Sequence, residues 1–191
     1  GNVDFDFDDV HQYTFVNGEG SVDNNLFSIR KDSLFSSATF DFETTDSYSI
    51  RIRVTDEENA AFEKTVQIDV SNRNEAPESI DLSNMSVEEN SDAGSVVGML
   101  SATDPDDGDQ LTFTFAIGEG DAGNDSFEIS DHQVITKEVF DFETQTAYSI
   151  RVKATDAGNE SIEKSLIINI ENIAEPMIEI EGSLDFEETE V

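Results

Sequence analysis

Apolar and polar residues alternate through most of the chain with the two-residue period of half-buried β-strands. Tyr48, Ile50, Ile52 and Val54 alternate with Ser49, Arg51 and Arg53. Leu111, Phe113, Phe115 and Ile117 alternate with Thr112, Thr114 and Ala116. Leu166, Ile168 and Ile170 alternate with Ile167 and Asn169. No stretch keeps a 3.6-residue apolar period for three turns. The pattern predicts strands at roughly 78–88, 95–103, 111–117, 126–130, 133–137, 147–155 and 161–171. Turn-rich stretches such as Asp104-Pro-Asp-Asp-Gly-Asp109 separate them. Seven short strands in about 100 residues predict an all-β fold, a Greek-key immunoglobulin-like β-sandwich.

The pattern occurs twice. Phe40-Asp-Phe-Glu-Thr-Thr-Asp-Ser-Tyr-Ser-Ile-Arg-Ile-Arg-Val-Thr-Asp56 returns as Phe140 to Asp156, 100 residues later and without insertion. Gly18-Glu-Gly20 lies over Gly118-Glu-Gly120, and Phe27 and Ile29 over Phe127 and Ile129. Asp6, Asp8, Asp9 and Gln12 lie over Asp104, Asp106, Asp107 and Gln110. From Pro176 the chain repeats the pattern that starts at Pro77. The organisation read from this is tandem seven-stranded sandwiches. Residues 1–74 are one repeat lacking its first strand and most of its second, 75–175 a complete repeat, and 176–191 the first strand of a third. The start at Gly1 reads as a cut from something longer. The tail of one molecule is expected to complete the first repeat of another by strand exchange; a loose tail is the alternative.

Composition adds a strong sign. Asp and Glu total 44 against 10 Lys and Arg, a net charge of −34. Nucleic acid as a partner is excluded on that ground, because phosphate binding needs a basic patch. Cations, or a salty medium that screens the repulsion, are favoured. The absence of Cys removes disulfides and thiolate metal sites. No apolar run approaches the length of a membrane span, so no membrane insertion is expected. Arg51, Arg53, Arg151, Lys153, Lys64 and Lys164 fall on outward strand positions and are expected to pair with acids across the sheet.

The acids group at fixed places in each repeat. In the second copy these are Glu88-Glu89-Asn90, Asp104-Pro-Asp106, Asp141-Phe-Glu143, Asp156, and Asn172 with Glu175. In a sandwich, loops carrying Asp104, Asp106 and Asp156 can gather at one end. Those carrying Glu88, Asp141, Glu143 and the exit linker can gather at the other. Stacked repeats would then bring the two sets of acids together. A hard dication with oxygen ligands relieves such crowding, and calcium takes six to eight oxygens. Asp104-Pro-Asp-Asp-Gly-Asp109 is no EF-hand, because its twelfth position is Phe115 and no helices flank it. His11 and His132 have no metal or catalytic partner in sequence. The Asn-x-Ser triplets at Asn84, Asn124 and Asn159 are those expected by chance.

These motifs resemble the cadherin repeat, and more closely the bacterial cadherin-like, dystroglycan-type repeats of large surface proteins. Val87-Glu-Glu-Asn90 followed by Gly94 is similar to the opening Glu-Asn motif, and Ala102-Thr-Asp104-Pro-Asp106 to Ala-x-Asp-x-Asp. Phe40-Asp-Phe-Glu43 and Phe140-Asp-Phe-Glu143 stand where cadherins have Leu-Asp-Arg-Glu. Val54-Thr-Asp56 and Ala154-Thr-Asp156 match a further motif without its first Asp. Asn72-Arg-Asn-Glu-Ala-Pro77 is similar to the bacterial linker. The resemblance implies Ca2+ between successive repeats. Its ligands would be Asp41, Glu43, Asn72, Asn74, Glu75, Asp104, Asp106 and Asp156. Glu88, Glu89, Asp141, Glu143, Asn172 and Glu175 would serve the next junction, and Asp6, Asp8 and Asp56 the preceding one. Asn72 and Asn172 stand where the family usually has Asp, so fewer or weaker ions are expected.

The function expected is that of a calcium-binding repeat module of a large extracellular or cell-surface adhesion protein, stiffened by calcium at repeat junctions. Its partners would be calcium, neighbouring repeats of the same chain, and other copies through homophilic adhesion. The alternative is a calcium-dependent carbohydrate-binding module with polysaccharide as partner. An enzyme is not expected. The paired carboxylates fall at repeated calcium-type positions, and no Trp is present to floor a sugar-cleaving site.

Overall fold

The computed structural model describes residues 10–174. They form two compact units: residues 10–75 with Asp104–Asp109, and Ala76–Thr103 with 110–174. Asp6, Asp8, Glu175 and the tail over 176–191 lie outside the described residues.

Among the described residues the first unit has five strands: β1 (Gln12–Phe15), β2 (Phe27–Arg30), β3 (Ser33–Ser36), β4 (Ser47–Thr55) and β5 (Ala61–Asp69). They make a three-stranded sheet in the order β1-β4-β5 and a β2-β3 hairpin. Ile50 is fully buried, and Phe27, Phe40 and Tyr48 pack ring against ring, Phe40 and Tyr48 with centroids 4.5 Å apart.

The described residues of the second unit form a two-sheet sandwich. Its strands are β6 (Ser79–Leu82), β7 (Ser86–Glu88), β8 (Val96–Thr103), β9 (Thr112–Phe115), β10 (Phe127–Ser130), β11 (Gln133–Thr136), β12 (Ala147–Thr155) and β13 (Ser161–Glu171). One sheet runs β10-β11-β8-β6 and the other β7-β13-β12-β9. Ile80, Phe127, Val134, Ile150, Val152 and Ile168 lose essentially all exposure between them. Each such side chain contributes about 1.5–3 kcal/mol on burial. Phe127, Phe140 and Tyr148 repeat the aromatic trio of the first unit, Phe140 and Tyr148 at 4.6 Å. The tyrosines of both trios, and Tyr13, are half-buried rather than fully enclosed.

Three details depart from the pattern. The segment expected over 78–88 is two strands in different sheets, because the chain steps across at Ser83–Met85. There the Asn84 side-chain amide donates to the carbonyls of Ser86 and Val97, both at 2.9 Å. Gly98 leaves the room for it, since a Cβ there would stand 2.8 Å from the Asn84 backbone. The segment over 111–117 loses its alternation at the end. The strand stops at Phe115, so Ala116 is buried and Ile117 is 94% exposed. Finally, Arg51 and Arg53 pair with Glu63, and Arg151 with Glu163, across their sheets as expected. Lys164 instead reaches Asp81 on β6, in the other sheet, and donates to the Ile80 carbonyl at 2.6 Å.

The repeated Gly-Glu-Gly turn has a shared job. Arg51 Nη1 donates to the Glu19 carbonyl and Arg151 Nη1 to that of Glu119, at 3.1 and 2.9 Å. Gly20 and Gly120 hold positive φ of 79° and 91°, and a Cβ on either would collide with Thr65 or Ser165.

Candidate metal centres

Two groups of carboxylates stand out, one in each unit. Both are built on turns that follow the same sequence, Phe-Asp-Phe-Glu-Thr.

In the second unit, the turn after Phe140 is tied by its own Asp. Asp141 Oδ1 accepts the amides of Glu143 and Thr144 at 3.0 and 3.3 Å, and Oδ2 accepts the Thr144 hydroxyl at 2.7 Å. These bonds, the Thr144 hydroxyl foremost, hold the Asp141 carboxyl below its ordinary value. Alternation along β7 sends Val87 inward and Glu88 out to solvent, and the next inward residue is Glu89. Glu89 is only 1% exposed. Its Oε2 accepts the Phe142 amide at 2.9 Å and its Oε1 the Ile173 amide at 2.7 Å. Asn172, just beyond β13, donates its side-chain amide to Glu143 Oε1 at 3.0 Å. Glu89, Asp141 and Glu143 offer carboxylate oxygens within 4.8 Å of one another.

In the first unit, Asp41 ties the equivalent turn in the same way, through Thr44 and the Glu43 amide, and its carboxyl is likewise lowered. Glu43, Glu75 and Asp106 lie within 4.8 Å of one another. Asn72 donates to Asp106 Oδ1 at 3.1 Å, and the Glu75 amide to Asp106 Oδ2 at 2.9 Å. Partial desolvation, then the like charges of Glu75 and Asp106, raise the Glu43 carboxyl above its ordinary value.

Asp106 also belongs to a second triplet, with Asp104 and Asp109, again within 4.8 Å. Gly108, at φ 84°, reverses the loop and brings Asp109 back beside its neighbours. The Asp106 amide donates to Asp104 Oδ1 at 3.0 Å. Asp104 Oδ2 and Asp109 Oδ2 are buried and have no hydrogen-bond donor. A buried carboxylate oxygen without a donor is costly. A cation fits that need. The donors are all oxygen, from carboxylates and the Asn72 amide, with no His or Cys among them, which suits a hard ion such as calcium.

Of the residues singled out in the sequence, Glu43, Glu75, Asp104 and Asp106 thus come together with Asn72, and Glu89, Asp141 and Glu143 with Asn172. Others sit outside the triplets. Asp41 is turned into its own loop, and Asn74 Nδ2 donates to the Glu75 carbonyl. Glu88 points to solvent. Asp56 and Asp156 close the tips of the β4–β5 and β12–β13 hairpins, each accepting the amide four residues on, from Ala60 and Glu160, at 2.8 Å. Asp109 was not singled out by the sequence reasoning; the signal for it was the Asp-Gly reversal inside an acidic loop.

Comparison with known proteins agrees with the fold. The family model described as Cadherin domain matches residues 83–171. Protocadherin Fat 4 of Mus musculus is 30% identical over 183 residues, 89% of this chain. Cadherin-24 of Homo sapiens is 36% identical over 100 residues, 48% of this chain. The chain spans 4% of the length of the first and 12% of the second. Among solved structures, PcdhgB3 EC1-4 superposes with a TM-score of 0.66 at 26% identity, covering 86% of this chain and 41% of that one. Human Protocadherin-24 EC1-2 superposes with a TM-score of 0.64 at 18% identity, covering 86% of this chain and 84% of that one, a likeness of fold. The sandwich and these matches together make the chain cadherin-like, its residues 83–171 being the part that matches the Cadherin domain model.

Proposed function

We propose that this chain is a calcium-binding repeat module of an extracellular adhesion protein, in which bound calcium stiffens the chain at its repeat junctions. The observation that carries the reading is the pair of buried, donorless oxygens of Asp104 and Asp109 within the group that includes Asp106. When bound, a calcium ion supplies positive charge to oxygens that the protein leaves uncompensated. Glu43, Glu75, Asp104, Asp106 and Asp109 would hold it, with the Asn72 amide oxygen. Glu89, Asp141 and Glu143 form the equivalent set in the second unit. Affinity in the range of extracellular modules, about 10⁻⁴–10⁻³ M, suits a site in which Asn72 replaces a charge.

The relatives support the setting. They are cadherins and protocadherins, and related solved structures are described as extracellular cadherin domains. That kinship supports an adhesion role, an extracellular location, and neighbouring repeats and other copies as partners; calcium as a partner is read from the carboxylate groups. Residues 75–175 are the repeat unit in this reading. Its bacterial, dystroglycan-type affiliation rests on the linker Asn72-Arg-Asn-Glu-Ala-Pro77.

Small-angle X-ray scattering of the chain in calcium and in EDTA tests the reading. An extended, fixed particle in calcium that becomes heterogeneous in EDTA is the expected result. A profile indifferent to calcium would overturn it.

A further inference from the structure

Glu89 occupies an unusual position for an acid. Its side chain is enclosed, yet the two groups that satisfy it are backbone amides from separate segments, Phe142 and Ile173. The backbone at the same place adds two more links. The Glu89 amide donates to the Glu171 carbonyl and the Asn90 amide to the Phe140 carbonyl, both at 3.0 Å. Glu89 and Asn90 therefore make two bonds to the end of β13 and two to the turn after Phe140.

The bonds have a geometric consequence. Phe142 is the middle of the Asp141–Glu143 turn, and Glu171 and Ile173 flank Asn172. Fixing both segments sets Asn172 against Glu143, where its amide donates at 3.0 Å. Each of the three clustered carboxylates already faces a donor supplied by the protein. The Asp104 and Asp109 oxygens in the first unit lack such donors.

We propose that Glu89 is a positioning residue that holds the Asp141–Glu143 turn and the exit from β13 in place without a bound cation. That the cluster then accepts calcium rests on the function proposed above; the positioning itself does not.

Residue-resolved amide hydrogen exchange on the whole chain in EDTA tests the proposal apart from calcium binding. The amides of Phe142 and Ile173 should be protected, exchanging at least about tenfold slower than in an unstructured peptide. Glu89→Ala should abolish protection at these two amides while amides within β12 and β13 keep theirs, a selectivity that general loosening of the domain would not produce. Glu89→Gln offers a single acceptor oxygen and should preserve protection at only one of the two. If Glu89→Ala prevents folding, the wild type and Glu89→Gln still decide. Free exchange at both amides in the wild type in EDTA would overturn the proposal. So would full protection at both in Glu89→Gln or Glu89→Ala. A parallel calcium titration reports on the calcium reading separately, because calcium is absent from the exchange experiment.

Discussion

The carboxylates around Glu89 and those around Asp106 have the same donor chemistry and opposite settings. Glu89 is more enclosed, yet both its oxygens are met by amides, and Asp141 and Glu143 are met by Thr144 and Asn172. In the Asp104-Asp106-Asp109 loop two oxygens are buried with nothing to meet them. Hydrogen bonds to an ionised group are worth about 1.5–3 kcal/mol each, so the difference is large enough to matter. It teaches that a row of acids in sequence does not tell which of them need an ion. What decides is the supply of backbone amides, and that depends on where the chain turns.

The largest effect that could break this contrast is loss of Glu89. Glu89→Ala leaves the part-buried amides of Phe142 and Ile173 without acceptors and opens a space where the enclosed side chain stood, and the cost should be about 2–4 kcal/mol by denaturant unfolding, in calcium and in EDTA alike. A cost seen only in calcium would make Glu89 a ligand and nothing more.

Next is calcium itself. At 100 times its dissociation constant one ion should add about 2.7 kcal/mol to the stability of the state that binds it. Its removal should speed amide exchange in Asp104–Asp109 far more than at Phe142 or Ile173. Equal loosening at both places would erase the distinction.

Smaller still, Asp109→Asn should weaken calcium binding about tenfold, measured by calorimetric titration, because it removes one of the uncompensated oxygen charges. In EDTA the same change should stabilise the loop slightly, since it relieves repulsion from Asp104 and Asp106.

The smallest effects are in titration, and they run in opposite directions. Asp141 has a lowered carboxyl, so its contribution to stability is complete above its unfolded value and fades as the pH falls through the folded one. Glu43 has a raised carboxyl, so its charge opposes folding at neutral pH and that penalty fades as the pH falls through its folded value. In EDTA, Glu43→Gln should therefore raise the melting temperature at pH 7, with the gain shrinking at acid pH. Thr144→Val should move the Asp141 titration, followed by NMR, back toward its ordinary range.

Much of the sandwich was legible because burial follows a simple alternation. Leu166, Ile168 and Ile170 face the core and Ile167 and Asn169 do not, as their spacing requires. The break inside 78–88 was not legible, because it depends on Asn84 finding the Val97 carbonyl and on Gly98 leaving space, a meeting of segments distant in sequence. The acids were legible as groups and not as members. Alternation from Val87 already separates an outward Glu88 from an inward Glu89, and that sign was available. Asp109 was hidden because its place depends on the reversal at Gly108. Asp56 and Asp156 were legible in sequence as acids of the repeated motif, and each accepts an amide of its own hairpin.

The most direct test of calcium binding by these carboxylates is the unfolding midpoint of the intact chain, followed as calcium is raised at constant ionic strength. A saturable rise over about 10⁻⁴–10⁻² M calcium, much reduced in Asp104→Asn, is the expected result. A midpoint that responds to calcium no more than to an equal ionic strength of sodium chloride would contradict it, and would leave the acids as a solvated surface.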